Sequence, residues 1–343
     1  MFKSTLPRRA VLGLLAAPAV LNSRARAADT CVVGTWGGDY ARLLRENIDD
    51  PILKPIDLTV IQDVGDETPR YAKMVAQKML PHGTMDIACM GAINGYRAMD
   101  AGLLEVLDES KVPNLKHVLP NLRSAAFVPH IYSAQVIVYN PETVKDPPKS
   151  FADLLDPLWN GKVGMVSGVA PWVLMGASLL ETGTTTDFDK AKAFMLKLNA
   201  NGLRLYPETD ALAPAFKSGE IEVAVIWLAR SFMWHNAGFP VKGQFPSEGA
   251  IVYVSGMVVP KNAPNKAAAF KYMNAMLEPA AQQGFAAHMG YLPTVDDAPL
   301  SGSVGDQLAF PEPKPKLVTP DYSVISKLMA DLNDWWLKNI QHG

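Results

Sequence analysis

Short apolar runs alternate with helical stretches along this chain, and that alternation restricts it to α/β layers more tightly than any other feature. CVVGTW (31–36) precedes DYARLLRENID, LTVIQDV (58–64) precedes TPRYAKMVAQKML, and MDIACM (85–90) precedes GYRAMDAGL. Three strand–helix units at this spacing predict a parallel sheet whose ligand edge lies at the strand C-termini, where Trp36, Asp63 and Gly91 fall.

The pattern changes at SAQVIVYNPETV (133–144), a long apolar run with no helix before it that reads as a crossing between two lobes. A second α/β series follows. Strands are expected at GMVS (164–167), LRLYPE (203–208) and VAVIWLA (223–229), with helices at WVLMGASLLE, 189–202 and 213–220. GAIVYVSGMVVP (249–260) reads as a second crossing, and one long helical stretch, 265–291, as the return to the first lobe. The expected organisation is residues 28–133 plus 256–310 as lobe 1, 134–255 as lobe 2, and 311–343 as a Pro-rich strap and a final amphipathic helix. Trp335 and Trp336 in that helix read as core packing.

Residues 1–27 read as a secretory signal peptide. Lys3, Arg8 and Arg9 form a basic start, Val11–Leu21 an apolar run too short to span a membrane, and ARA (25–27) an A-x-A cleavage site. Arg8-Arg9 ahead of Val11-Leu12 resembles a twin-arginine signal, and no cysteine at the cleavage point offers a lipid anchor. The mature protein is expected to start near Ala28, in the periplasm. A formal net charge of −2 with no basic stripe argues against a nucleic-acid partner. Cys31 opens one expected strand and Cys89 closes another, so in neighbouring parallel strands they lie beyond the ~7 Å Cα limit of a disulfide. Two buried free thiols are predicted.

TWGGDY (35–40) joins a strand end to a helix start. Adjacent glycines let a backbone approach a ligand closely, and free N–H groups at a helix start favour an anion. The same six residues also fit a plain corner with Asp39 as a first-turn residue or cap.

PKSFADLLDPLWNGKVGM and the long run GEIEVAVIWLARSFMWHNAG through HMGYLPT resemble the spermidine/putrescine-type solute-binding proteins of ABC importers. MDIACMGAINGYRAMDAGLLEVLD is similar to their first lobe, and the likeness covers nearly all of the mature chain. The resemblance implies an α/β, periplasmic-binding-protein-like fold of type II, with two lobes, a two-crossing hinge and the ligand in the cleft. It implies a binding protein, not an enzyme: a monomer without cofactor that closes on a small solute and docks on an ABC-transporter permease.

The resemblance also implies site residues. Its first-strand aromatic falls on Trp36 and the following turn on Gly37, Gly38 and Asp39. The turn after the third strand falls on Gly91 and Ile93, the small polar residue after a second-lobe strand on Thr209, and the cleft tryptophan on Trp227. The second-crossing aromatic is Tyr253, the residue two further on is Ser255, and the tyrosine of GY-x-PT is Tyr291. Asp321 and Tyr322 fall at the family's last cleft contact.

The carboxylates that grip an amine in polyamine binders are missing, because the stretch 167–171 reads SGVAP and Ser255 replaces an acid. A dication in a closed cleft needs carboxylates, since an unpaired buried charge costs several kcal/mol. Arg230, three residues after Trp227, offers instead a planar fork for a carboxylate or phosphonate. Its alternative role is a structural bridge to Glu208, Asp210 or Glu248. Trp172 and Trp234 are further ligand candidates, and Asp39, Asp63 or Glu248 could serve an ammonium group. The expected solute is a zwitterionic or anionic amine- or amino-acid-like compound, with a true polyamine as the alternative.

Ferric-ion binding is disfavoured: there is no YY doublet, and the six histidines (His82, His117, His130, His235, His288 and His342) show no ligand spacing. Catalysis is disfavoured by the absence of G-x-S-x-G, Walker and H-E-x-x-H patterns, and by the lack of a base near Cys89 in the pattern.

Overall fold

The computed structural model describes residues 29–341, so the signal-peptide reading and His342 lie outside the described residues. The first sheet is built as the alternation requires. β1 (Asp29–Thr35) leads to α1 (Gly38–Leu44), β2 (Leu58–Val64) to α2 (Glu67–Gln77), and β3 (Ile87–Gly91) to α3 (Ala92–Asp100). β1 pairs in parallel with both β2 and β3. All three strand C-termini therefore share one edge, and the turn after each faces the same side.

β4 (Val128–Tyr139) is the strand on which the architecture turns. Past it come β5 (Val163–Val166), α4 (Ala170–Thr182), α5 (Phe188–Ala200), β6 (Arg204–Tyr206), α6 (Leu212–Lys217), β7 (Val223–Trp227), α7 (Leu228–Asn236), β8 (Lys242–Gln244) and β9 (Ala250–Val258). The first half of β4 pairs antiparallel with β9, which in turn pairs antiparallel with β3. Its second half, from Gln135, pairs antiparallel with β7 and β8. β7 then pairs in parallel with β5, and β5 with β6. One strand thus belongs to two sheets, and the changeover falls between Ala134 and Gln135.

The chain closes with α8 (Lys266–Met276), α9 (Pro279–Met289), β10 (Leu292–Pro293), α10 (Gly302–Leu308), β11 (Leu317–Val318) and α11 (Tyr322–Trp336). β11 pairs with the start of β9, so the C-terminal strap is stitched to the second crossing strand.

Three expectations about elements are corrected. The helical stretch 265–291 is two helices, because Pro279 lacks an N–H and starts a new helix after Glu278. The strand expected over 223–229 ends at Trp227, and Leu228 begins α7, whose Ala229, Phe232 and Trp234 recur at helical spacing and are buried. The first helix is short, and π-helical turns over Arg45–Leu53 continue it past Pro51.

Cys31 and Cys89 are free and fully buried. The β1–β3 register sets Gly34 beside Ala88, which brings Cys89 level with Thr35 and not with Cys31. At about 3.3 Å per residue the two cysteines are offset by roughly 13 Å along the strands, too far for a disulfide. No helix among the described residues is long and apolar enough to cross a membrane.

Candidate ligand-binding cleft

A cavity of about 570 Å³ opens beside the end of β1, within the range of small-molecule sites. Trp36, Gly37, Gly38, Asp39 and Tyr40 line one wall. Gly38 has φ +61°, a conformation glycine adopts without strain, and an added Cβ on Gly37 would sit 3.1 Å from Val64 Cγ1. The glycines therefore serve the turn itself. α1 is only seven residues long and its first turn carries the Asp39 carboxylate, so the expectation of an anion at this helix start is not supported. Asp39 is bound to Arg42 at 3.0 Å on the exposed face.

Behind that wall two buried groups fix the rings. The Arg70 guanidinium lies 5.6 Å from the Trp36 ring centre and donates to the carbonyls of Cys89 and Gly65. Gly34 is what leaves it room, since a Cβ there would come within 2.8 Å of Arg70 Cδ. Tyr40 meets Trp36 edge-on at 5.0 Å, and its hydroxyl lies 2.7 Å from His130 Nδ1. His130 is fully buried, and burial pushes its pKa down to about 3, so the imidazole is neutral.

The floor comes from β9. Tyr253 and Ser255 alternate onto one face and both line the cavity. Tyr253 stacks on Trp227 at 4.6 Å and meets Trp172 at 5.6 Å and Tyr291 at 6.1 Å. Burial raises the pKa of Tyr253 and Tyr291, so both phenols stay protonated, while the nearby Arg230 charge pulls Tyr291 the other way.

The opposite wall is α7 with the 209–211 turn: Arg230, Met233 and Asp210. Arg230 Nη1 lies 3.5 Å from Met233 Sδ, and Arg230 Nε is buried with no partner. Arg230 makes no ion pair among the described residues. Glu248 is engaged elsewhere, accepting from the Phe151 N–H at 2.8 Å and the Ser247 hydroxyl at 3.2 Å. Asp210 shares the cavity without reaching ion-pair distance, and Glu208 forms no ion pair among the described residues.

Of the residues expected from sequence, Trp36, Gly37, Gly38, Asp39, Arg230, Tyr253, Ser255 and Tyr291 come together around the cavity. Trp227, Thr209, Gly91 and Ile93 are placed outside its lining. Trp227 is buried behind Tyr253, and Ile93 is buried in α3. The Gly91 N–H donates to Glu67 Oε2 at 2.7 Å, so a carboxylate already occupies that turn. Tyr322 is also outside the lining, its hydroxyl donating to the Val252 carbonyl at 2.7 Å. Sequence reading missed Tyr40, Ile131, Met233 and Met289, and weighed Asp210 only as a partner for Arg230. Met233 becomes legible once RSFMWHN is read as a helix, because it lies three residues after Arg230. Away from the cleft, His117, Asp296 and Asp297 bring one ligand atom each within 4.8 Å of one another, the one such group among the described residues.

The family model for bacterial extracellular solute-binding proteins matches residues 54–312. The chain belongs to that family. A relative of this solute-binding protein, the spermidine/putrescine-binding periplasmic protein of Escherichia coli (strain K12), is 27% identical over 236 residues. That match spans 64% of this chain and 66% of the relative, slightly under two thirds of its length. Among solved structures, a GABA receptor superposes with a TM-score of 0.81 at 22% identity, covering 92% of this chain and 99% of the other. An ABC transporter substrate-binding protein from Bradyrhizobium japonicum gives 0.76 at 21% identity, covering 91% and 100%. The α/β, periplasmic-binding-protein-like fold of this solute-binding protein is therefore that of its structural neighbours.

Proposed function

We propose that this protein is the solute-capturing component of an ABC importer, working in the periplasm after its signal peptide is removed. It closes as a monomer on a small zwitterionic or anionic amine- or amino-acid-like solute and delivers it to a membrane permease, without catalysis. The observation that carries this reading is Arg230: a guanidinium at an aromatic cavity, with a buried Nε that has no partner. A buried donor left unpaired costs about 1–3 kcal/mol, which a ligand carboxylate or phosphonate would recover as two parallel charged hydrogen bonds. Trp36 on the opposite wall and Tyr253 on the floor supply aromatic surface for an ammonium group at the other end.

The curated relative named above binds spermidine and putrescine by name. Here a dication would meet Arg230 in the cleft, and the floor offers Ser255, a neutral hydroxyl 3.5 Å from the Met90 carbonyl. Of the two lining carboxylates, Asp39 is paired with Arg42 at 3.0 Å, while Asp210 shares the Arg230 wall. The solute named for the GABA receptor is itself an ω-amino acid, which fits the chemistry of the cleft; the cleft, not that likeness, supports the reading.

The test is a thermal-shift and calorimetric screen of residues 28–343 with ω-amino acids, aminophosphonates, organic acids and polyamines. A ligand that binds only the folded state raises Tm by mass action. Carboxylates or phosphonates are expected to stabilise, with putrescine silent. Arg230→Ala should then weaken binding by about 1.5–3 kcal/mol, the range for a hydrogen bond to a charged group. Stabilisation by putrescine alone would return the protein to polyamine capture.

A further inference from the structure

Arg230 has a neighbour on its own helix whose chemistry solute capture leaves unused. Arg230 and Met233 stand three residues apart on α7 and both line the cavity, so they share one face of the helix. Arg230 Nη1 donates to Met233 Sδ across 3.5 Å. A thioether is a weak acceptor, so the guanidinium stays open to a better one. Most methionines are out of reach of solvent: Met90, Met165, Met175, Met257 and Met273 are fully buried, and Met289, at the same cavity, is 9% exposed. Met233 is half-buried at the cavity surface. Met99 and Met329 are half-buried too, and Met79 is 85% exposed, but none of these three lines the cavity. The thiols offer an oxidant little competition, because Cys31 and Cys89 are fully buried and burial pushes Cys89 up to about 12.

Building on the capture function proposed above, we propose that Met233 is an oxidation site that switches the cleft off: as the sulfoxide, its oxygen takes the Arg230 guanidinium in place of the solute's carboxylate. The oxidant is a two-electron oxygen donor, hydrogen peroxide or hypochlorous acid. With peroxide, a sulfur lone pair attacks one oxygen, an S–O bond forms and the O–O bond breaks. The proton on the transferred oxygen leaves with the departing hydroxide as water. Sulfur loses two electrons and the peroxide gains them. The oxygen joins a sulfur already 3.5 Å from Nη1, so in the sulfoxide epimer that faces the guanidinium it falls within hydrogen-bond reach. Oxidation turns a flexible apolar side chain into a polar one, here beside the charge that the solute needs. The competing oxygen is carried on the same helix, so it acts at the high effective concentration of a tethered group. A methionine sulfoxide reductase returns the thioether with a dithiol as electron donor, so the switch is reversible.

The experiment compares the wild-type mature chain before and after limited peroxide treatment. Trypsin releases the peptide 231–242, in which Met233 is the sole methionine, so mass spectrometry reads its oxidation directly. Met233 is expected to oxidise after Met79 and before the buried methionines. Calorimetry with 4-aminobutyrate as the probe acid should then show affinity falling about tenfold or more, the loss of one hydrogen bond to a charged group. Sulfoxide reductase with dithiothreitol should restore it, a reading that needs no variant. Met233→Leu keeps an apolar side chain of similar volume without the sulfur. Whatever its starting affinity, peroxide should leave it unchanged, whereas Met79→Leu should lose binding as the wild type does. In the unliganded protein, the Arg230 Nε–H resonance, identified by its absence from Arg230→Lys, should move on oxidation. Full oxidation of Met233 with unchanged affinity, or an equal loss in Met233→Leu, overturns the switch and leaves the Arg230 reading standing. If the untreated wild type binds no acid at all, the capture reading falls. The peptide map and the Arg230 resonance then still decide whether Met233 oxidises and engages the guanidinium.

Discussion

His130 and Asp49 are the residues whose burial leaves a measurable mark. Burial depresses His130 to about 3 from an unfolded value of 6.5. Between those values only the unfolded chain binds the proton, so the His130 contribution to stability falls as pH drops from 6.5 towards 3. Asp49 behaves oppositely. Burial raises it to about 6 from 3.8, against a Gln62 hydrogen bond that lowers it. Between 3.8 and 6 the folded chain holds the proton, so its contribution rises as pH falls. Each slope is at most about 1.4 kcal/mol per pH unit, and over the shared window they oppose each other. The stability difference between wild type and His130→Gln, from urea titrations, should shrink steadily as pH falls below 6.5. The difference between wild type and Asp49→Asn should move the other way. A wild-type-to-His130→Gln difference that is flat with pH would mean the imidazole titrates normally in the folded protein. Neither residue was legible from sequence as a buried titrating group. His130 sits in an apolar stretch that gives no sign of Tyr40 above it, and Asp49, the last residue of the helical stretch read from sequence and inside the π-helical turns over Arg45–Leu53, gives no sign there of its burial.

At the scale of elements, the strands were the readable part. LTVIQDV is β2 residue for residue, because a turn before and a helix cap after bound it. What was not readable was where strand gives way to helix inside an unbroken apolar run. VAVIWLARSFMW carries both periods, and the ladder with β4, whose last pair is Gln135 with Trp227, is what ends the strand there and lets Leu228 start the helix. That one boundary determines the cleft, since it places Arg230 and Met233 together on a helix and turns Trp227 inward. The crossing strands hold a second feature without a sequence signal. A Cβ on Gly256 would lie 2.2 Å from the Val128 carbonyl oxygen and 2.8 Å from Phe127 Cζ, beside the irregular register between Pro129 and Ile131. A backbone carbonyl within a ladder cannot step aside as a flexible side chain can. Gly256→Ala should therefore lose about 1–3 kcal/mol or more, as overpacking does. Gly168→Ala, with nothing within 4 Å of the added Cβ, should stay within about 0.5 kcal/mol of wild type. Equal melting temperatures for the two variants would refute the close β4–β9 approach.

For the molecule as a whole, the resemblance read from sequence named the family and the fold, and the aromatic positions it carried over fall on or just behind one cavity. The resemblance carried no polar group to replace the missing acids; Arg230 was read from its place three residues after Trp227, whereas Tyr40 and the nearness of Asp210 to the cavity depend on distances that no motif encodes. The cavity draws on both sheets: Trp36 and Tyr40 follow β1, Arg230 rides on α7, and Tyr253 belongs to a strand shared at the centre. A ligand held by Arg230 at one end and the Trp36 wall at the other favours the arrangement in which both reach it. It can shift the open–closed balance only by its difference in affinity for the two states. Solution scattering should then show a smaller radius of gyration with a saturating acid ligand. Arg230→Ala, at ligand concentrations that still saturate it, should close less completely, because the contact that distinguishes the states is gone. A ligand that binds tightly while leaving the scattering profile unchanged would mean that the cavity is already in its closed form, and that capture proceeds without a change in the angle between the sheets.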